Sequence, residues 1–195
     1  IIEEVPEVDA VLGTTSYGDI LKAIREAMEG KHFQEFKDID YLPEKLGKRV
    51  LTTGGHFGYL KIAEGCDKHC TYCIIPKLRG KFRSVPMERL VTQAKEMAEE
   101  GVKELILVAQ ETTVYGTDIY GKKSLHILLK ELCKIKGIRW IRVLYCYPEE
   151  IYDELIQTMK EEKKICHYLD LPIQHASDRI LKRMGRRTTQ AELVE

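Results

Sequence analysis

The chain has 195 residues, which is enough to bury the core of one domain without disulfide bonds. Its 31 Lys and Arg residues balance 31 Asp and Glu residues, so no global field draws the protein to nucleic acid or to a membrane surface. No apolar run approaches the roughly 20 residues of a membrane span, and the acidic start IIEEVPEVD is unlike a signal peptide. The sequence therefore predicts a cytoplasmic protein.

Residues 1–47 are predicted to be the end of a small α/β domain followed by a linker. VDAVLG has the composition of a short strand, and apolar residues at helical spacing predict a helix from Tyr17 to Glu29 that Gly30 ends. The stretch from Lys31 to Gly58 has no clear period and contains Pro43. GGHFG in this stretch lacks the Lys-Ser/Thr pair of a phosphate-binding loop and is interpreted as a turn. We therefore expect a domain boundary between residues 47 and 48.

Residues 48–195 alternate strand and helix patterns, with one unit about every 30 residues. The strand patterns are YLKIAEG, ELILVAQ, GIRWIRVLY and HYLDLPI. ELILVAQ is almost continuously apolar, which is typical of a strand buried on both faces of a parallel sheet. The alternation predicts an α/β fold whose parallel strands are joined by right-handed crossovers. Because four units cannot close an eight-unit barrel, we expect the amino-terminal, incomplete part of a parallel (β/α) barrel.

Three cysteines, Cys66, Cys70 and Cys73, follow the first of these strands in the stretch CDKHCTYC. Chemistry in an α/β barrel lies on the loops after the carboxyl ends of the strands. Three thiolates on a four-iron cluster leave one iron without a protein ligand. The amino and carboxylate groups of S-adenosylmethionine (SAM) can chelate such an iron, and an electron from the cluster then splits the sulfonium to give an adenosyl radical.

Other uses of these cysteines remain open at the level of the residues. A structural zinc would take His69 as its fourth ligand, although its place directly beside Cys70 makes ligation by both residues awkward. Clustered cysteines with no common ligand are a further alternative. The three remaining cysteines lie in helical and strand segments and are interpreted as core residues: Cys133, Cys146 and Cys166.

The cysteine motif resembles that of the radical SAM enzymes, including the aromatic Tyr72 before the third cysteine. The flanking EGC and CTYCIIPKLRGKFRS are similar to the methylthiotransferases of this family. LYCYP, YLDLPIQHASDRILKRMGR and AQETTVYGTD are similar to the RimO type. The MiaB type, which acts on a transfer RNA adenosine, usually has a histidine-proline pair after the third strand and an LPVQSGS-like fourth segment.

The resemblance implies a function for the longer protein. The RimO type adds a methylthio group to the β-carbon of an aspartate in small-subunit ribosomal protein twelve, using a [4Fe-4S] cluster, SAM and a reducing electron donor. Residues 1–47 resemble the tail of the family's amino-terminal methylthiotransferase domain, and a second [4Fe-4S] cluster is expected on a part absent from this chain. The MiaB-type activity and a non-catalytic iron-sulfur or zinc-binding module are the alternatives. The MiaB type is distinguished by its substrate, because an adenosine rather than an aspartate gains the methylthio group. The non-catalytic module predicts bound metal without cleavage of SAM.

Further site residues follow from the resemblance or from their place after strands. Gln110, at the end of the second strand, is expected near the amino end of SAM, and Tyr72 is expected to offer backbone contacts toward the adenine. Gln174 and His175, on the loop after the fourth strand, are expected to line the cofactor or substrate pocket. The basic loop KLRGKFR fits a contact with RNA or with a carboxylate, or a solvated charged surface.

No catalytic residue is assigned from the sequence. GRR at residues 185–187 is interpreted as solvated surface charge. Glu149 and Glu150 follow Pro148, where acidic side chains favour the start of a helix.

Overall fold

The structure, a computed structural model, describes residues 2–42 and 50–194. The expected boundary between residues 47 and 48 lies outside these residues. The strands are β1 Ala10–Leu12, β2 Phe33–Glu35, β3 Phe57–Lys61, β4 Ala63–Glu64, β5 Arg83–Ser84, β6 Glu104–Val108, β7 Trp140–Val143 and β8 Ile165–Leu169. The α-helices are α1 Ile20–Met28, α2 Ile75–Arg79, α3 Met87–Glu99, α4 Thr117–Tyr120, α5 Leu125–Cys133, α6 Asp153–Glu161, α7 Asp178–Arg183 and α8 Gln190–Val194. None of the helices in this part of the chain is both long and apolar enough to cross a membrane.

The amino-terminal residues form a small unit of two parallel strands and one helix. Ala10 pairs with Phe33 at the start of β1 and β2, and α1 connects the two strands. The helix predicted from Tyr17 begins with one 3-10 turn and continues as α1. Leu21 and Met28 on α1 are largely exposed.

The remaining strands form an open parallel sheet with the order β3-β6-β7-β8. Leu105 of β6 pairs with Gly58 of β3 and with Ile141 of β7, which fixes the register at the centre of the sheet. The α/β class and the parallel sheet predicted from the alternating pattern are therefore confirmed.

Helices cover one face of this sheet. Leu105 and Leu107 of β6 are fully buried, whereas Glu104, Ile106 and Val108 on the opposite face are only partly buried. The expected burial of both faces is thus wrong for the described residues, because α3, α5 and α6 all contribute their apolar stripes to one side. The largest stripe lies on α5, where apolar residues recur at helical spacing: Leu125, Leu128, Leu129 and Leu132.

The parallel arrangement brings the carboxyl ends of the four sheet strands to one edge. β3, β6, β7 and β8 end there, so the loops after them lie side by side. A two-stranded antiparallel pair, β4 with β5, follows β3 at this edge. The cysteine motif lies between these two short strands.

Candidate cluster and cofactor site

The cysteine loop, residues 65–82, is closed at its base by main-chain pairing. Ala63 pairs with Ser84 and Glu64 pairs with Arg83. The Cys66 N–H donates to the carbonyl oxygen of Gly80 over 3.2 Å. This base holds the ends of the loop together at the carboxyl edge of the sheet.

The first turn of the loop needs glycine. Gly65 has a φ of +81°, and a Cβ there would overlap the carbonyl oxygen of Lys81. Gln110 fixes this turn from the end of β6, since its Oε1 accepts the Gly65 N–H over 2.9 Å. Its Nε2 donates to Glu64 over 3.0 Å. Gln110 is therefore next to the cysteine loop, and its amide holds the backbone there.

A distant part of the chain anchors the middle of the loop. The Thr71 N–H donates to the carbonyl oxygen of Met184 and the Thr71 hydroxyl donates to that of Arg183, each over 3.1 Å. Within the loop, the Cys73 N–H donates to the Cys70 carbonyl oxygen over 3.0 Å. These contacts give the loop a defined shape between its cysteines.

The cysteines of the loop are free thiols in different environments. Cys66 and Cys70 are buried and Cys73 is exposed. Burial raises the pKa of the Cys66 thiol, while a hydrogen bond from the Lys68 N–H, 3.4 Å from Sγ, acts in the opposite direction. The described part of the chain thus offers three thiols on one loop as potential metal ligands.

The composition of this donor set fits an iron-sulfur cluster. In residues 2–42 and 50–194, no three His, Cys, Asp or Glu side chains are grouped so that they could hold a metal ion. A zinc site takes all its ligands on one ion, whereas a four-iron cluster takes each thiolate on a different iron. His69, the ligand considered for zinc, is exposed.

A cavity of about 220 Å³ lies beside Cys66. Charged side chains of both signs line it, among them Lys68, Glu111, Glu150 and Arg187. The cavity therefore carries charges of both signs and is built from the cysteine loop and from the segments that follow β6, β7 and β8.

Glu111 is the most deeply buried acid of this cavity, with 1% of its surface exposed. Its Oε1 accepts hydrogen bonds from the N–H and the hydroxyl of Thr113. Its Oε2 is buried without a hydrogen-bond partner among the described residues. Burial raises the pKa of Glu111 to about 7, although Thr113 and Lys68 act in the opposite direction. Glu111 therefore presents one acceptor oxygen that the described chain does not use.

Glu150 faces the same cavity but is fully paired. Lys68 binds one carboxylate oxygen, and Lys123 lies 2.9 Å from the other. Burial opposes the ionisation of Glu150, but hydrogen bonds from these two lysines outweigh it and lower its pKa. Glu150 thus holds the Lys68 side chain next to Cys66, a role that its interpretation as a helix-start acid does not include.

Arg186 is a buried cation that the sequence analysis assigned to the surface. Its Nη2 donates to the carbonyl oxygen of Pro172 over 3.1 Å and lies 3.5 Å from Glu149. Its guanidinium lies 4.3 Å from the centre of the Tyr147 ring. Nε and Nη1 are buried without a hydrogen-bond partner among the described residues. A basic run such as GRR carries no local sign of burial, since only the tertiary fold returns this side chain to the site.

Tyr147 lies near the thiols, Glu111 and Arg186. Burial raises its pKa, and Cys66, Cys70 and Glu111 act in the same direction, whereas Arg186 lowers it. Lys68 also lies over this ring, with Nζ 5.3 Å from its centre. The Tyr147 side chain therefore interacts electrostatically with the charged and thiol groups of the site, namely Cys66, Cys70, Glu111, Lys68 and Arg186.

The other predicted site residues are exposed. Tyr72 is half exposed; burial raises the pKa of its hydroxyl, Cys70 adds to the increase and Arg186 opposes it. Gln174 is exposed and has a φ of +65°. His175 Nδ1 accepts the Ser177 N–H over 2.8 Å at the start of α7. The structure therefore places Tyr72 beside Cys70 and gives His175 a helix-capping contact.

The basic loop KLRGKFR is partly used for structure. Arg83 donates to Asp40 over 3.1 Å and to the Arg79 carbonyl oxygen over 3.0 Å, and Phe82 is buried. Lys77 and Lys81 are exposed. Of the cysteines outside the loop, Cys146 is fully buried in the core, as expected, and Cys133 packs against the core.

Curated relatives match the whole chain. A protein from Lachnoclostridium phytofermentans described as "Ribosomal protein uS12 methylthiotransferase RimO" is 68% identical to this chain over 194 residues. The match covers 100% of this chain and 44% of that protein. The protein of that description from Clostridium botulinum is 55% identical over 193 residues, covering 98% of this chain and 43% of that protein. That from Caldanaerobacter subterraneus subsp. tengcongensis is 48% identical over 195 residues, covering 100% and 45%. The chain spans less than half the length of these relatives.

Solved structures share the fold at low sequence identity. The radical S-adenosylmethionine methyltransferase TsrM from Kitasatospora setae superposes with a TM-score of 0.57 at 16% identity, over 71% of this chain and 27% of that chain. The cobalamin-dependent S-adenosylmethionine radical enzyme OxsB gives 0.55 at 15% identity, over 69% and 20%. Residues 60–195 also match the family model described as the Radical SAM superfamily. Because that match covers more than half of the chain, the chain belongs to the radical SAM superfamily.

Proposed function

We propose that this chain is the cluster-binding and SAM-binding part of a methylthiotransferase of the RimO type. The full-length enzyme would add a methylthio group to the β-carbon of an aspartate in small-subunit ribosomal protein twelve (uS12). The observation that carries the proposal is the loop with Cys66, Cys70 and Cys73 at the carboxyl edge of the sheet, near buried polar atoms of Glu111 and Arg186 that have no hydrogen-bond partner among the described residues. The names of the similar proteins support the choice of substrate.

The three cysteines would hold a [4Fe-4S] cluster through their thiolates. When bound, the cluster and SAM supply the carbon radical that removes a hydrogen atom from the substrate. The chain's own contribution is to hold the ligands in place. Gly65 and Gln110 set the start of the loop, and Thr71 ties its middle to residues 183–184.

The buried unpaired atoms match the charged ends of SAM. Glu111 offers an acceptor for the ammonium group, and Arg186 offers two donors for the carboxylate. Both lie around Tyr147, which itself lies near Cys66 and Cys70. We therefore propose Glu111 and Arg186 as cofactor-binding residues, alongside Tyr72, Gln110 and Gln174. Gln110 would act through the backbone that it holds.

The rest of the reaction needs parts outside this chain. Residues 1–47 would be the tail of an amino-terminal methylthiotransferase domain and a linker, and residues 48–195 the first part of the barrel. A second [4Fe-4S] cluster on the part absent from this chain would supply sulfur, and a second SAM would supply the methyl group. A reducing partner would deliver electrons, and a ribosomal substrate would place the enzyme in the cytoplasm.

The test is methylthiolation of purified uS12 by the full-length protein. The enzyme is reconstituted anaerobically with iron and sulfide and incubated with SAM, a reductant and uS12, and the aspartate peptide is analysed by mass spectrometry. We expect one methylthio group on one aspartate, lost in Cys70→Ala and retained in Cys133→Ala, which removes a thiol outside the loop. Modification of a transfer RNA adenosine instead would contradict the RimO type. Bound metal without cleavage of SAM would contradict the proposal that the protein is an enzyme.

A further inference from the structure

A tyrosine in a strained conformation lies at the carboxyl edge of the sheet. Within the described residues, Tyr145 and Gln174 alone among residues other than glycine have a positive φ. The φ of Tyr145 is +58°, which is unfavourable for a bulky side chain because its Cβ crowds the backbone. Such strain persists only where the surroundings hold it, and it is concentrated at functional sites.

The loops on both sides fix the backbone of Tyr145. Thr112, after β6, donates to the Tyr145 carbonyl oxygen from its N–H over 3.1 Å and from its hydroxyl over 3.0 Å. Asp170, after β8, accepts the Tyr145 N–H over 3.1 Å. Thr112 directly follows Glu111 of the cavity. The strained residue is therefore tied to the same loops that build the candidate site.

The Tyr145 side chain makes few stabilising contacts with the described part of the molecule. Its surface is 52% exposed, and its ring has no partner among the stacked rings, cation–ring pairs or side-chain hydrogen bonds of the described residues. Glycine or asparagine would adopt this backbone at lower cost. The fold thus holds an exposed aromatic ring at a position where its local interactions favour a smaller residue.

We propose that Tyr145 is a substrate-positioning residue whose ring packs against the polypeptide that carries the target aspartate. Tyrosine suits this task because it offers a large, rigid contact surface with a polar tip. Tyr147, two residues further on, faces the thiols, so the segment 145–147 would connect the substrate to the cofactor site. This role rests on the proposed function and adds to it the residue that meets the protein substrate.

The test compares Tyr145→Asn with Tyr145→Phe in the full-length enzyme. Asparagine tolerates the left-handed backbone and removes the ring, whereas phenylalanine keeps both the ring and the strain. Three quantities are measured: the melting temperature of the cluster-free protein, SAM cleavage without uS12, and the KM for uS12. For Tyr145→Asn we expect an unchanged or higher melting temperature, unchanged SAM cleavage, and a KM raised about tenfold. Tyr145→Phe should stay near the wild type in all three.

Each contrary result has a distinct meaning. A lower melting temperature in Tyr145→Asn would show that the ring packs against another part of the full-length protein and would overturn the proposal. An unchanged KM would overturn it while leaving the proposed function intact. A wild-type enzyme that cleaves SAM but leaves uS12 unmodified would overturn the proposed function and this role with it.

Discussion

The carboxyl group of Glu111 makes the stability of the folded chain depend on pH. Burial raises its pKa from 4.5 to about 7. Between these two values the folded state keeps a proton that the unfolded state has lost. The free energy of unfolding therefore falls as pH rises through this window, because ionisation of Glu111 in the folded state would bury the charge of its carboxylate.

Glu111→Gln should remove this pH dependence. The amide keeps an oxygen for the Thr113 hydrogen bonds and carries no charge, so the variant should exceed the wild type in stability by up to about 3 kcal/mol near pH 8 and match it near pH 4. Urea unfolding of the cluster-free chain at both pH values measures the difference. Glu99→Gln, on the exposed surface of α3, controls for the loss of one negative charge. If the free energy of unfolding depended on pH equally in the wild type and in Glu111→Gln, the raised pKa of the Glu111 carboxyl group would be contradicted.

Two glycines with almost the same φ distinguish the cost of a positive φ from the cost of steric overlap. Gly65 and Gly55 have φ values of +81° and +82°, but a Cβ at Gly55 meets no atom within 4 Å, whereas one at Gly65 overlaps the Lys81 carbonyl. Gly55→Ala should cost about 1–2 kcal/mol from the backbone alone. Gly65→Ala should cost at least about 2 kcal/mol more, because the base of the cysteine loop must open. Urea unfolding compares the two variants, and equal costs would contradict the tight turn.

The sequence indicates the place of the three cysteines more directly than that of the residues around them. Cys66, Cys70 and Cys73 follow one another closely in the sequence, so their spacing alone places them on one loop. Glu111 and Arg186 reach the site through tertiary packing, and an acid after a strand or an arginine in a basic run has no pattern that distinguishes burial from exposure. Their proposed roles therefore rest on the structure, in which both side chains have buried polar atoms without a hydrogen-bond partner among the described residues.

At the scale of elements, the amino-terminal unit binds the segment that follows the cysteines. Asp40 accepts a hydrogen bond from the Lys81 N–H over 2.8 Å and another from Arg83 over 3.1 Å. Thr14 donates to the Leu78 carbonyl oxygen over 2.9 Å. These contacts join the unit of β1, α1 and β2 to the second half of the cysteine loop.

Asp40→Ala should loosen this junction. Without its acceptor, the Lys81 N–H should exchange with solvent about tenfold faster or more, while amides in the centre of β6 stay protected. Hydrogen-deuterium exchange of the cluster-free chain, read by mass spectrometry of peptides from residues 78–83, measures the effect. Glu7→Ala, an exposed acid of the same unit, is the control. Unchanged exchange in Asp40→Ala would show that the unit does not hold the loop.

The periodic elements are predictable and the short ones are not. α3 and α5 carry apolar residues at helical spacing over several turns, and the strands of the parallel sheet stand out by their apolar runs. β4 and β5 have two residues each and form only because the loop between them returns to its start. YLKIAEG was accordingly predicted as one strand, whereas the structure ends β3 at Lys61 and begins β4 at Ala63.

At the scale of the whole molecule, a chain without net charge concentrates charges of both signs at one edge. Lys68, Glu150, Glu111 and Arg186 converge there around the thiols, because parallel strands deliver their following loops to a common edge. The composition shows only that the positive and negative charges sum to zero. The polarity of the site is therefore a consequence of topology, and it suits a cofactor that carries both an ammonium and a carboxylate.

The most direct test of the account is electron paramagnetic resonance of the anaerobically reconstituted and reduced protein, with and without SAM, together with its iron and zinc content. We predict a four-iron signal that changes when SAM is added, because three thiolates leave one iron open. Cys70→Ala should lose the signal and Cys133→Ala should keep it. Stoichiometric zinc without an iron-sulfur signal, or a signal that SAM leaves unchanged, would contradict the assignment of the cysteine loop.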